Sequence, residues 1–133
     1  TKAIIKTVIF DINGVVDIGE PNEDVLDIIG RLREKGYIVV ALSNFSSAYA
    51  GRGAEHGDIF SQTFLGNELG MLKPDPEIYH HVLDTLKIEP KETIFVDDLP
   101  ENIQGAEAIG IRCILFENAE QLQKELLHVG LEM

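Results

Sequence analysis

Thr7-Val8-Ile9-Phe10-Asp11-Ile12-Asn13-Gly14-Val15-Val16 is the stretch that decides the fold. From Thr7 to Asp11 it is almost wholly apolar or β-branched, the composition of a short strand buried on both faces. The strand ends on a carboxylate, Asp11, and Asn13-Gly14 then marks a tight turn between two apolar runs. An acid delivered by a buried strand into a turn suits a parallel sheet, where ligands gather at the carboxyl ends of the strands.

Outward from this stretch, strands and helices alternate. Asn22 to Lys35 reads as a helix: Asn22 caps it, Glu23 and Asp24 suit its positive end, and Val25, Ile28, Ile29 and Leu32 share a face. Gly36 stops it. Tyr37–Ser43 reads as the second strand, Ser46 to His56 as a weak helix loosened by Gly51 and Gly53, and Gln62–Leu65 as the third strand. Asp75–Leu86 reads as a helix with Pro76 in its first turn, Thr93–Asp97 as the fourth strand and Glu101–Ile109 as a helix ended by Gly110. Arg112–Phe116 and Ala119–His128 supply the last strand and helix. The expectation is an α/β fold: a three-layer, Rossmann-like parallel sheet with helices on both faces, forming one domain over residues 1–133.

Eleven basic against 23 acidic residues give a net charge of −12, which argues against a nucleic-acid or anionic-membrane surface. No apolar run is long enough to span a bilayer. A single cysteine, Cys113, excludes an internal disulfide and fits a reducing cytoplasm. It reads as an inert thiol in an apolar strand.

The polar residues fall at strand ends. Asp11 closes the first strand, Ser43 and Asn44 the second, Asp97 and Asp98 the fourth. Bare carboxylates so placed repel, and a hard divalent cation such as Mg²⁺, held by one or two carboxylates and substrate phosphate oxygens, relieves the repulsion. A carboxylate beside that cation is suited to attack phosphorus. The phosphoryl group being transferred then needs a cation and directed donors, for which Lys73, the Ser43 hydroxyl and the Asn44 side chain are candidates.

At this point a family resemblance becomes specific. Val8-Ile9-Phe10-Asp11-Ile12-Asn13-Gly14-Val15-Val16 resembles the first motif of the haloacid-dehalogenase-like superfamily, and Ala41-Leu42-Ser43-Asn44 resembles the second. Leu72-Lys73-Pro74-Asp75-Pro76-Glu77-Ile78-Tyr79 is similar to the third, and Ile94-Phe95-Val96-Asp97-Asp98 followed by Asn102 to the fourth. The four stand in family order. The resemblance implies an Asp11 nucleophile that also binds Mg²⁺, an Asn13 carbonyl on the metal, Asp98 as the direct acidic ligand and Asp97 in or near the outer shell. It implies Ser43 and Lys73 on the phosphoryl oxygens, and an aspartyl-phosphate intermediate at Asp11.

Asn13 departs from the family pattern. Its phosphatases usually carry an aspartate there, which protonates the leaving group and activates water, help of roughly 10²–10⁴-fold. Two readings follow: a Mg²⁺-dependent phosphohydrolase, or a weakened domain serving as a phosphate-binding or interaction module. A dehalogenase is a weaker third reading, because that branch usually carries other residues at this position and a cap. Deamidation of the Asn13-Gly14 pair would partly restore an acid, which intact mass tests. Only Asp17 to Pro21 separates Val16 from the first helix, and only a turn fits between Phe64 and Lys73, so no cap domain is expected. An open site suits a bulky or macromolecular phosphorylated substrate, or closure by a neighbouring subunit in a homo-oligomer. His80 and His81, adjacent on a helix, read as surface or rim residues, His56 as structural and Arg52 as exposed. A receiver domain, also phosphorylated on aspartate, is set aside because its acidic pair comes first and its lysine last.

Overall fold

The computed structural model describes residues 4–45 and 59–133. Five strands, β1 (Thr7–Phe10), β2 (Ile38–Ser43), β3 (Gln62–Leu65), β4 (Thr93–Asp97) and β5 (Arg112–Leu115), form one sheet in the order β3-β2-β1-β4-β5. Every pairing is parallel. The helices are α1 (Glu23–Glu34), α2 (Gly66–Leu69), α3 (Pro76–Leu86), α4 (Pro100–Glu107) and α5 (Ala119–His128), with a 3-10 turn at Pro90–Glu92.

Strand pleating divides the core in two. Val8 and Phe10 point to one face with Val39, Ala41, Ile94 and Val96, where α1 contributes Val25, Ile28, Ile29 and Leu32 and α5 contributes Leu122 and Leu126. Ile9 points to the other face with Val40, Leu42 and Phe95, under Ile78, Tyr79 and Val82 of α3 and Ile103 and Ala106 of α4. The sheet thus lies between two helical layers, as expected. A buried Leu or Ile contributes about 1.5–3 kcal/mol relative to an exposed one, so the two apolar faces are what hold each helix down.

The chain leaves β1 toward β2 and β3 on one side, then returns to place β4 and β5 on the other. That reversal makes the gap between β1 and β4 the switch point where such sheets bind ligands. Phe10 pairs with Val96, and the Asp11 amide donates to the Val96 carbonyl at 2.9 Å, so Asp11 and Asp97 emerge side by side.

Asn22 caps α1, its Oδ1 accepting from Val25 N, and Gly36 takes a φ of +94° just past the helix. The differences from the sequence reading at element ends are small, and β2 begins at Ile38 and not at Tyr37. β1 stops at Phe10 and leaves Asp11 in the following turn, α4 begins at Pro100 and closes at Glu107, and β5 ends at Leu115. The single-turn α2, between Phe64 and Lys73, was not expected, because four residues carry no helical period. The weak helix expected over Ser46 to His56, with Arg52 and His56, lies outside the described residues. Among the described residues there is no cap domain, and no helix is long and apolar enough to cross a membrane.

Candidate active site

Lys73 is the hub of the site. It is 6% exposed, and its ammonium donates to Asp11 Oδ1 at 2.6 Å, to Asp97 Oδ2 at 3.0 Å and to the Leu42 carbonyl at 3.0 Å. All three of its protons are therefore directed. The Phe95 ring lies 5.6 Å from the ammonium on a further side.

Asn44 sets the position of that lysine. Its Oδ1 accepts from Lys73 N at 2.7 Å and its Nδ2 donates to Lys73 O at 3.2 Å, so one carboxamide grips both main-chain groups. Asn44 was expected as a donor to the phosphoryl group; its side chain is instead engaged with the Lys73 backbone. The Ser43 hydroxyl donates to Phe45 O at 2.8 Å, and Ser43 is 1% exposed.

Asp97 is fully buried and has every near partner filled. Oδ1 accepts from Leu99 N at 3.0 Å, and Oδ2 accepts from Lys73 and from Asn102 Nδ2 at 3.1 Å. Asn102 is anchored in turn, its carbonyl accepting from the hydroxyl of the buried Tyr79 at 2.8 Å. Asp97 therefore holds Lys73 through Oδ2 while Leu99 N and Asn102 fix the carboxylate itself.

Asp98 differs. Its Oδ1 is buried without a hydrogen-bond partner, a costly arrangement for a carboxylate unless a cation completes it. Asp11, Asp97 and Asp98 each bring one carboxylate oxygen within 4.8 Å of the others. Burial raises the Asp11 carboxyl to about 7, against the downward pull of Lys73, with Asp97 adding to the rise. Burial likewise raises Asp98. Three carboxylates against one ammonium leave excess negative charge on hard oxygen donors, the setting that suits Mg²⁺.

Gly14 is the counterpart of Asp98. Its φ is +91°, and a Cβ there would fall 2.2 Å from Asp98 Oδ2, so only glycine lets the two loops meet. The turn is tied by Gly14 N donating to Asp17 O at 2.8 Å and by Asp17 N donating to Ile12 O at 2.8 Å. Asn13 lies exposed on this loop, and from Asp17 to Pro21 the chain makes only a small flap bridged at both ends.

The structure thus gathers Asp11, Asp97, Asp98, Lys73, Ser43 and Asn44 at one end of the sheet, with Asn13 on the adjoining turn. Missing from the sequence reading were the roles of Asn102, Tyr79 and the glycines that allow close packing. Gly105 is one: a Cβ there would stand 2.6 Å from Pro74 O, the residue after Lys73. The Asn102 amide, one turn into a helix after an Asp-Asp pair, was the one available signal. His80 is exposed on α3, and His81 packs edge-on against Phe64 at 5.9 Å, away from this chemistry.

A parallel α/β sheet with acids and a buried lysine at its switch point defines a hydrolase-like core. The haloacid dehalogenase-like hydrolase family matches residues 14–110, and the chain belongs to that family. It is 33% identical over 110 residues to D-ribitol-5-phosphate phosphatase of Bacteroides thetaiotaomicron, covering 76% of this chain and 53% of that protein. It is 42% identical over 73 residues to flavin mononucleotide hydrolase 1 of Arabidopsis thaliana, covering 55% of this chain and 30% of that one. It is 33% identical over 94 residues to a sesquiterpene phosphatase of Aspergillus oryzae, covering 68% and 48%. The chain thus spans about half or less of the length of these relatives. Among solved structures, an uncharacterized protein from Corynebacterium glutamicum superposes with a TM-score of 0.81 at 22% identity, covering 97% of this chain and 98% of that one. A haloacid dehalogenase family enzyme from B. thetaiotaomicron, in complex with magnesium and inorganic phosphate, gives 0.75 at 22% identity, covering 86% and 95%. These likenesses establish the fold.

Proposed function

We propose that the chain is a Mg²⁺-dependent phosphohydrolase working through an aspartyl-phosphate at Asp11. The observation that carries this reading is the unpartnered, buried Oδ1 of Asp98 beside Asp11, set against a lysine already bound to the nucleophile. The relatives named as phosphatases and a flavin mononucleotide hydrolase support phosphoester chemistry, while their names span quite different alcohols.

Asp11 and Asp98, with the Asn13 carbonyl, would hold Mg²⁺, which when bound would offset the charge of the carboxylates and of the phosphoryl oxygens. An Asp11 oxygen bonds to phosphorus as the ester P–O bond breaks, and the alcohol leaves. Lys73 holds Asp11 in place and reduces repulsion between that carboxylate and the incoming anion. Asn44 and Asp97 position Lys73, and the Ser43 hydroxyl, whose one proton lies on the Phe45 carbonyl, would turn from it to donate to a phosphoryl oxygen. Water then attacks phosphorus, the Asp11–phosphorus bond breaks, and phosphate departs. Asn13 has no proton to give, so the leaving alcohol takes its proton from solvent.

Asn13 also favours a second reading, a phosphate-binding or interaction module with weak turnover. The open site leaves room for a bulky substrate or a neighbouring subunit, and the single unpaired thiol suits a reducing compartment such as the cytoplasm. Phosphate release from an aryl phosphate, with and without Mg²⁺, separates the readings. Turnover abolished by chelation and by Asp11→Asn supports the enzyme. Silence in a folded protein that still binds Mg²⁺ supports the module.

A further inference from the structure

Each loop that builds the site also carries an exposed apolar side chain. Ile18 is 54% exposed on the flap beside Asp17, and Phe45 is 57% exposed two residues after Ser43. Leu72 is 44% exposed directly before Lys73, and Leu99 is 45% exposed directly after Asp98. The main chain ties these positions to the site: Phe45 O accepts from the Ser43 hydroxyl, and Leu99 N donates to Asp97. Four loops converge here only because β1, β2 and β4 are neighbours and end together. Isolated exposed apolar residues are ordinary, but among the described residues each of the four segments that carry the polar centre also brings one, the makings of an apolar collar beside a charged floor.

Resting on the proposed phosphohydrolase reading, we infer that this collar of Ile18, Phe45, Leu72 and Leu99 selects phosphate monoesters of apolar alcohols over those of polyols. The phosphoryl group takes the polar floor at the end of the sheet, and the alcohol leaves it past the loops that carry these side chains. Hydrocarbon crossing it sheds water on contact with four apolar side chains, whereas a polyol would lose hydrogen bonds to water with little in return. The occupant is thus the organic part of the substrate itself.

The test measures Kd for a series of n-alkylphosphonates, ethyl to octyl, by calorimetry in Mg²⁺, with a polyol phosphonate as comparator. Hydrolysis of the matching alkyl phosphates is followed in parallel. Affinity is expected to rise about two- to fourfold per methylene until the chain clears the collar. In Leu72→Ser/Leu99→Ser that slope flattens, while Leu127→Ser, exposed on α5, leaves it as in wild type. A slope of zero, or a polyol phosphonate bound as tightly as octyl, overturns the inference even where all the esters are hydrolysed. A graded affinity without hydrolysis supports the collar and overturns the phosphohydrolase instead. A flat series in a wild-type dimer that Leu72→Ser dissociates overturns the inference in favour of a second copy on this face.

Discussion

The ammonium of Lys73 stands 2.6 Å from Oδ1 of Asp11, and both groups are nearly sealed from solvent. Because the same ammonium also holds Asp97 at 3.0 Å, Lys73 carries the compensation for two buried carboxylates.

Lys73→Met is therefore expected to cost more than a surface charge change. Removing one partner of a buried ion pair leaves uncompensated charge, typically about 3–5 kcal/mol. Urea unfolding at neutral pH measures it. A loss below about 1 kcal/mol, the range of exposed pairs, would show that the pair is solvated.

The contact between Gly14 and Asp98 predicts a different effect. Gly14→Ala places a Cβ in left-handed backbone, costing roughly 1–2 kcal/mol, and drives it into the Asp98 carboxylate. Melting curves with and without Mg²⁺ are expected to show lower stability and loss of the Mg²⁺-induced rise in Tm. Asp98→Asn loses that rise too, but by removing charge. A full rise in both variants would place any ion elsewhere.

These two sites mark what was legible in the sequence. Asp11, Lys73, Asp97 and Asp98 stand in local patterns, a buried strand ending on acid or a lysine before proline, which a linear reading captures. The strands were legible for the same reason, being short apolar runs between turn signals. The grip of Asn44 on the Lys73 backbone joins positions 29 apart, and the Tyr79–Asn102–Asp97 chain crosses from α3 to α4 and β4. Such contacts depend on how helices pack on the sheet and leave no period or spacing behind. Gly105 against Pro74 is of the same kind: the glycine reads as a weak point in a helix until the neighbour is seen.

Cys113 provides a pH test. It is half-buried on β5 with its thiol near the Ile103 and Ile111 carbonyls, and burial pushes it up to about 12. The folded state thus holds the thiol proton longer than the unfolded chain does. Any stability from this is present below the usual thiol range near 9 and is lost as pH rises from there toward 12. At pH 8, alkylation by iodoacetamide is expected to be slow in the folded protein and fast in urea. Equal rates would mean an accessible, ordinary thiol.

Asn13 lies exposed beside Gly14 on the turn that follows Asp11, where the proposed mechanism would use a transferable proton. If Asp11 is the nucleophile, Asn13→Asp is expected to raise turnover of an ester with a poor leaving group by about 10²-fold or more. Esters with good leaving groups need less protonation and should gain less. A uniform gain, or none, would place position 13 outside the proton path.

Asn13 is also restrained against changing into an acid unaided. Deamidation at Asn-Gly needs the glycine nitrogen to attack the asparagine side chain. Here Gly14 N donates to Asp17 O at 2.8 Å, in a turn further fixed by Asp17 N on Ile12 O. Attack would break that bond and swing Gly14 away from its close approach to Asp98. The folded chain is therefore expected to keep its Asn13 mass during long incubation at neutral pH, while the same chain in urea gains the mass shift of deamidation. Peptide mapping over residues 7–22 locates the change. Deamidation in the folded protein as fast as in urea would mean that the turn opens freely, and the geometry tying Gly14 to Asp98 would then be transient.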